Sequence, residues 1–168
     1  MGAKSSAGLL SKIAASGSGD QKSVVDALSM LGSSADAKAL ETIAAKNEGL
    51  KASVESGLLA LKAAGECKAD TTCWKGKLGD ASASVRRRAV RELGWSADQN
   101  SLAELLKAAE DNDPRVRIAA HIALVRLKGV DVEKLKSIHT AWSKKSEYRN
   151  ANKDLTRTIA VIKHAAKS

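Results

Sequence analysis

The sequence predicts an all-α protein, on two observations. Apolar residues recur at i, i+3, i+4 and i+7 almost throughout, and no stretch alternates apolar with polar as a half-buried strand does. The 168 residues include 30 Ala, no Phe, three Trp and one Tyr, so small side chains fill the interior. Sandwiches and barrels lean on aromatic and β-branched strands instead. Hydrophobic residues make up 43% of the chain, too many for a disordered segment, and no run of 18 apolar residues is present to span a membrane. Residues 1–18 lack the basic region, apolar stretch and cleavage site of a signal peptide, which leaves export open at this level.

Each helix follows from its stripe. Leu9, Leu10 and Ile13 mark the first, and Val24, Leu28 and Leu31 the second. Leu40, Ile43 and Ala44 precede Leu50, Val54, Leu58 and Leu61, and residues 71–78 and 83–94 supply a third pair. The clearest spacing is Leu102, Leu105, Leu106, Ala109. Asp113-Pro114 follows it, a capping residue before the one helical position that tolerates proline, and opens the stripe Val116, Ala119, Ala120, Ala123, Leu124, Leu127. Asp131 caps a helix with Val132, Leu135, Ile138 and Trp142 on its apolar side, which places Trp142 in the core. A last helix carries Leu155, Ile159, Ile162 and Ala166. This makes about ten helices, punctuated at Gly17–Gly19, Gly32–Ser34, Gly65, Gly94 and Gly129.

Pairs of short helices prompt a search for internal repeats. At an offset of 31, Asp80, Val85, Arg86, Ala89 and Leu93 coincide with Asp111, Val116, Arg117, Ala120 and Leu124. A weaker copy runs from Ile43 through Leu50, Val54 and Leu58, and a later one begins at Tyr148-Arg149. The chain here resembles the HEAT-repeat family, whose second helices open with Asp, then Val-Arg, then Ala and Leu at four-residue steps. The resemblance covers residues 35–168. It implies a right-handed α-solenoid of about five HEAT-like helix pairs, with second helices lining the concave face. A single domain over residues 1–168 follows, with repeats near 4–32, 33–66, 67–96, 97–129 and 130–168.

The basic charge is unevenly placed. Residues 1–84 carry ten Lys, no Arg and nine acids, a net of +1, whereas 85–168 carry 18 basic and ten acidic residues, a net of +8. A helical wheel at about 100° per residue separates two kinds of arginine. Arg86 and Arg117 fall inside the apolar arcs of their helices and need partners there. Asp80 and Asp111 in the preceding turns are the expected partners, forming a structural ladder along the repeats. Arg87, Arg88, Arg91, Arg115 and Arg126 fall opposite the apolar arcs, as an exposed basic stripe that Lys153, Arg157 and Lys163 extend. The bland reading of that stripe is a solvated face; the sharper one is an acidic protein partner.

Nucleic acid is the alternative partner, as in the HEAT-like alkylpurine DNA glycosylases, and binding would then depend steeply on salt. Against it, Trp74, Trp95 and Trp142 are scattered over three repeats, with no carboxylate spaced to join them into a base-stacking cleft.

Cys67 and Cys73 are the only cysteines. Five intervening residues are too many for a thioredoxin-like pair, and His121, His139 and His164 lie too far along the chain to complete a zinc site. A disulfide or two free thiols remain. The loop-closing separation favours the disulfide, and with it an extracytoplasmic compartment; without pairing, the expected compartment is the cytoplasm. The cysteine pair ahead of the Asp to Val-Arg segment also resembles exported or lipid-anchored HEAT-repeat proteins of predatory and social bacteria.

No nucleophile elbow, phosphate loop or zinc-protease motif occurs. His121 reads as a packed residue, not a base. Glu110, Asp111 and Asp113 cluster where a helix N-terminus favours acids. The sequence thus predicts a non-enzymatic scaffold with no cofactor and no metal, binding a partner protein through a rigid curved surface. A third class, a lyase accessory like the bilin lyase relatives, stands behind the nucleic-acid binder.

Overall fold

The computed structural model describes residues 2–127, 130–144, 146 and 149–165. These residues form ten α-helices joined by short turns, with no strand among them. The chain divides into two compact units, residues 1–88 and 89–168. The first holds α1 (Gly2–Ser16), α2 (Gln21–Leu31), α3 (Ala37–Lys46), α4 (Lys51–Cys67) and α5 (Thr71–Lys77). Helix α6 (Ala83–Ser96) runs across the division, and α7 (Leu102–Ala108), α8 (Pro114–Arg126), α9 (Val132–Ser143) and α10 (Arg149–Ala165) follow.

In the first unit α1 pairs with α2 and α3 with α4, and like packs on like, α1 against α3 and α2 against α4. Leu28, Leu40, Ile43, Val54 and Leu61 are fully buried between them. Gly57 lies where α4 meets Ser29 and Leu40, with no room for a Cβ. The α2–α3 joint is organised by Asp36, which accepts from Ser33 N at 2.8 Å and from Ser11 Oγ of α1 at 2.7 Å. Partial burial pushes the Asp36 carboxyl upward, but the hydrogen bonds from Ser33 and Ser11 outweigh it and hold it below the ordinary aspartate range.

A tight corner joins α4 to α5. Cys67 and Cys73 are paired in a disulfide, their Cα atoms 5.3 Å apart. Asp70 caps α5 by accepting from Thr72 N at 2.8 Å and Cys73 N at 3.1 Å. The fully buried Trp74 donates from Nε1 to the Lys68 carbonyl at 2.9 Å. Lys77 and Glu66 pair across the corner at 2.8 Å. Their hydrogen bond holds Glu66 below its ordinary value and Lys77 above its own.

In the second unit α7 pairs with α8, α9 with α10, and the second helices α8 and α10 pack together. Leu93, Leu105, Leu124, Leu135 and Leu155 are fully buried. His121 is buried, with Nδ1 3.1 Å from Thr158 Oγ1.

Two of the glycines read as punctuation are not. Gly65 lies inside α4 and Gly94 inside α6. At Gly94 the reason is packing: a Cβ there would sit 2.6 Å from the Ala123 Cβ, so glycine is what lets the backbones of α6 and α8 approach. Gly129, Tyr148, Ala166 and the side chains of Trp142 and Arg149 lie outside the described residues.

Candidate partner-binding surface

The second helices begin with one local device used twice. Asp80 Oδ1 accepts from Ser82 N at 2.8 Å, and 31 residues on, Asp111 Oδ1 accepts from Asp113 N at 2.8 Å. Half-buried Arg86 donates from Nη1 to the carbonyls of Asp80 at 2.9 Å and Ala81 at 3.1 Å. Arg117 does the same to Asp111 at 2.7 Å and Asn112 at 3.1 Å. Each arginine thus turns back on the loop that its own aspartate folds. The carbonyls, which point out of the turn, receive the guanidinium, and the carboxylate serves the backbone N–H.

The five arginines of the expected stripe meet different fates. Arg88 is the correction: it is 7% exposed and donates to the carbonyls of Ser29 at 3.1 Å and Gly32 at 3.0 Å, at the C-terminal end of α2. That end carries carbonyls without helical partners and a negative dipole, which a buried guanidinium satisfies. A wheel drawn from the apolar positions of α6 alone cannot show that a second helix approaches its far side. Arg87 is half-buried and paired with Asp26 of α2. Arg91 pairs with Glu92. Arg115 grips the cap of its own helix, Nε to Asp113 Oδ1 at 3.2 Å and Nη2 to Asp113 Oδ2 at 2.9 Å. The Arg115 hydrogen bond holds the Asp113 carboxyl below its ordinary range, against a smaller upward push from burial.

Arg126 is the one that remains open. Its guanidinium carbon lies 3.9 Å above the centroid of the Trp95 ring, and that of Arg91 lies 5.7 Å from the same ring. Trp95 is 58% exposed, unusual for so large an apolar group. On α8 beside Arg126, Ile118 and Ile122 are 56% and 53% exposed, and Val125 is exposed as well. Steps of about 100° per residue put these three in a band roughly 60° wide, with Arg126 about 40° beyond Ile122. The second unit therefore presents an aliphatic row on α8 that ends in an arginine stacked on tryptophan.

The sequence reading missed this row, although a signal was present. Ile118, Ile122 and Val125 are spaced i, i+4, i+7 on the side of α8 opposite Val116, Ala120 and Leu124, which are buried. A helix apolar on two sides has one to spare. The Trp95–Arg126 contact was legible too, since the residues are one repeat offset of 31 apart and occupy equivalent places in successive second helices. Lys153, Arg157 and Lys163 lie exposed on α10. Among the described residues no group of three or more His, Cys, Asp or Glu is placed to hold a metal ion, and no helix is long and apolar enough to cross a membrane.

Residues 76–151 match the model of the HEAT-repeat family. No curated protein and no solved structure matches the chain. The match begins in α5, takes in both Asp to Val-Arg segments and ends at the start of α10, and over that span the chain is similar to HEAT repeats.

Proposed function

We propose that this chain is a non-enzymatic scaffold that binds a partner protein, and that it does so through α8 and the Trp95 end of α6. HEAT repeats are typically interaction modules, which supports the general class. The observation that carries the location is the exposed row Ile118, Ile122, Val125 beside the Trp95–Arg126 stack. Scattered exposed aliphatics are ordinary, but a contiguous set next to Trp and Arg has the composition of an interface centre. The basic stripe enters this reading reduced to Arg126, with Arg87, Arg91 and Arg115 committed to ion pairs.

The test is quantitative capture from an extract of the source organism by the tagged wild-type chain and by Trp95→Ala, Ile122→Asn and Leu59→Asn. Leu59 is exposed in the first unit and serves as the control. A protein set lost in the first two variants and kept in the third is the expected outcome. Capture that is indifferent to Trp95 and Ile122 would overturn the location.

Nucleic acid is the second reading, supported by the net +8 of residues 85–168. It requires oligonucleotide affinity that falls with salt by about 0.9 log units per log unit for each phosphate contacted on duplex DNA. The Cys67–Cys73 pair supports an extracytoplasmic location, since disulfides persist in oxidising compartments. Rapid alkylation of thiols in intact cells, with recovery of a fully unmodified chain, is the corresponding check.

A further inference from the structure

We infer that the occupant of the α8 face is an acidic amphipathic helix, whose apolar residues cover Ile118, Ile122 and Val125 while one of its carboxylates closes on Arg126. The inference rests on the protein-binding reading above and adds the chemistry of the partner segment.

Three features carry it. The first is shape. Ile118 to Val125 spans about 10 Å along the axis at 1.5 Å per residue, in a band one side chain wide. A single helix with apolar residues at i, i+3 or i+4, and i+7 matches a row of that length and pitch.

The second is charge. Helix α8 contains three Arg and no acidic residue, in the half of the chain with a net +8. Arg117 is turned onto Asp111 and Asn112, and Arg115 onto Asp113. Among the described residues no carboxylate pairs with Arg126, which is exposed. A carboxylate of the partner therefore meets no competitor there.

The third is the stack. A guanidinium lying on an aromatic ring uses its flat face, and its N–H donors remain in its plane, pointing sideways. Trp95 thereby holds Arg126 in the orientation that accepts a two-oxygen anion edge-on, with less rotamer freedom left to lose. A phosphodiester would satisfy the same donors, but the hydrated sugar-phosphate chain on either side of it would lie against Ile122, which costs free energy. A carboxylate on a side chain of an otherwise apolar helix face does not.

The experiment selects a displayed library of random 16-residue peptides against the full chain, then measures enriched peptides by fluorescence anisotropy in 150 mM salt. Enrichment of net-acidic sequences with an amphipathic helical pattern is expected. Ile118→Asn or Ile122→Asn should weaken them about tenfold or more, and Trp95→Ala or Arg126→Gln by several-fold, as substitutions at an interface centre do. All four residues are exposed, so circular dichroism should show the fold unchanged. Enriched peptides that are neutral or basic, yet respond to these substitutions, would overturn the acidic occupant and leave the protein-binding surface standing. Acidic peptides indifferent to all four substitutions would overturn both. Failure to enrich anything would overturn the inference alone, with the surface still judged by the capture experiment.

Discussion

Trp95 and Arg126, one repeat offset apart, stack with the guanidinium carbon 3.9 Å from the ring centroid. Equivalent positions of successive second helices therefore meet side by side, and here they meet in the open. Because both groups are exposed, Trp95→Ala and Arg126→Ala should each cost less than about 1 kcal/mol of stability, and a double-mutant cycle should return a coupling of roughly 0.5–1 kcal/mol. A coupling near zero in denaturant melts would mean the stack is not maintained in solution.

Arg88 contrasts with Arg126. Removing it strands the Ser29 and Gly32 carbonyls in a buried site, so Arg88→Ala should cost about 2–4 kcal/mol. Arg86→Ala and Arg117→Ala, which lose matching half-buried contacts, should fall between at about 1–2 kcal/mol each and close to one another. Denaturant midpoints of the three variants give the order directly, and equality with Arg126→Ala would remove the burial argument.

Gly94 and Gly76 should respond oppositely to alanine. A Cβ at Gly94 meets the Ala123 Cβ at 2.6 Å and its Cα at 2.8 Å, whereas nothing lies within 4 Å at Gly76. Gly94→Ala should destabilise by about 1–3 kcal/mol through overpacking, and Gly76→Ala should stabilise by up to about 1 kcal/mol through helix propensity. Thermal melts in which Ala123→Gly partly restores the Gly94→Ala protein would locate the clash.

The Cys67–Cys73 bridge closes a loop with a sequence separation of 6. For so short a loop the chain-closure estimate is about 2 kcal/mol, so reduction or a Cys67→Ser, Cys73→Ser double variant should lower the melting temperature modestly without unfolding the chain. The untreated protein should titrate no free thiol under denaturing conditions. Two titratable thiols would remove the bridge and the export argument together.

Asp36 gives the pH dependence. Its carboxyl is held below the ordinary aspartate range in the folded chain, so its contribution is present above the unfolded value and is lost as pH falls through the folded one. Asp36→Ala should therefore cost about 1 kcal/mol at pH 7, as the loss of a capping carboxylate does, and the gap from wild type should close below pH ~4. A gap that is constant from pH 7 to pH 3 would assign the effect to packing of the side chain and not to its charge.

The elements of this chain were legible because their determinants are local. A helix stripe, the Asp113-Pro114 start and the return of Asp, Val-Arg and Ala after 31 residues each involve neighbours within a few turns of one another. The cysteine pair belongs to the same class, since six residues of chain bring its ends together wherever the rest lies. The wheel that places Arg86 and Arg117 toward the packed side is likewise internal to one helix. What a single helix cannot encode is what approaches its other sides. Arg88 went inward because the carbonyls of Ser29 and Gly32, 59 and 56 residues earlier, end a helix against it. Arg87 found Asp26 in the same way, 61 residues away. Gly94, a plausible helix end by composition, became a mid-helix contact because Ala123 of α8 lies against it. The same physics left Ile118, Ile122 and Val125 outside. Apolar residues on two sides of α8 compete for one interior, and only packing by the neighbouring helices decides which side is covered and which is left for a partner.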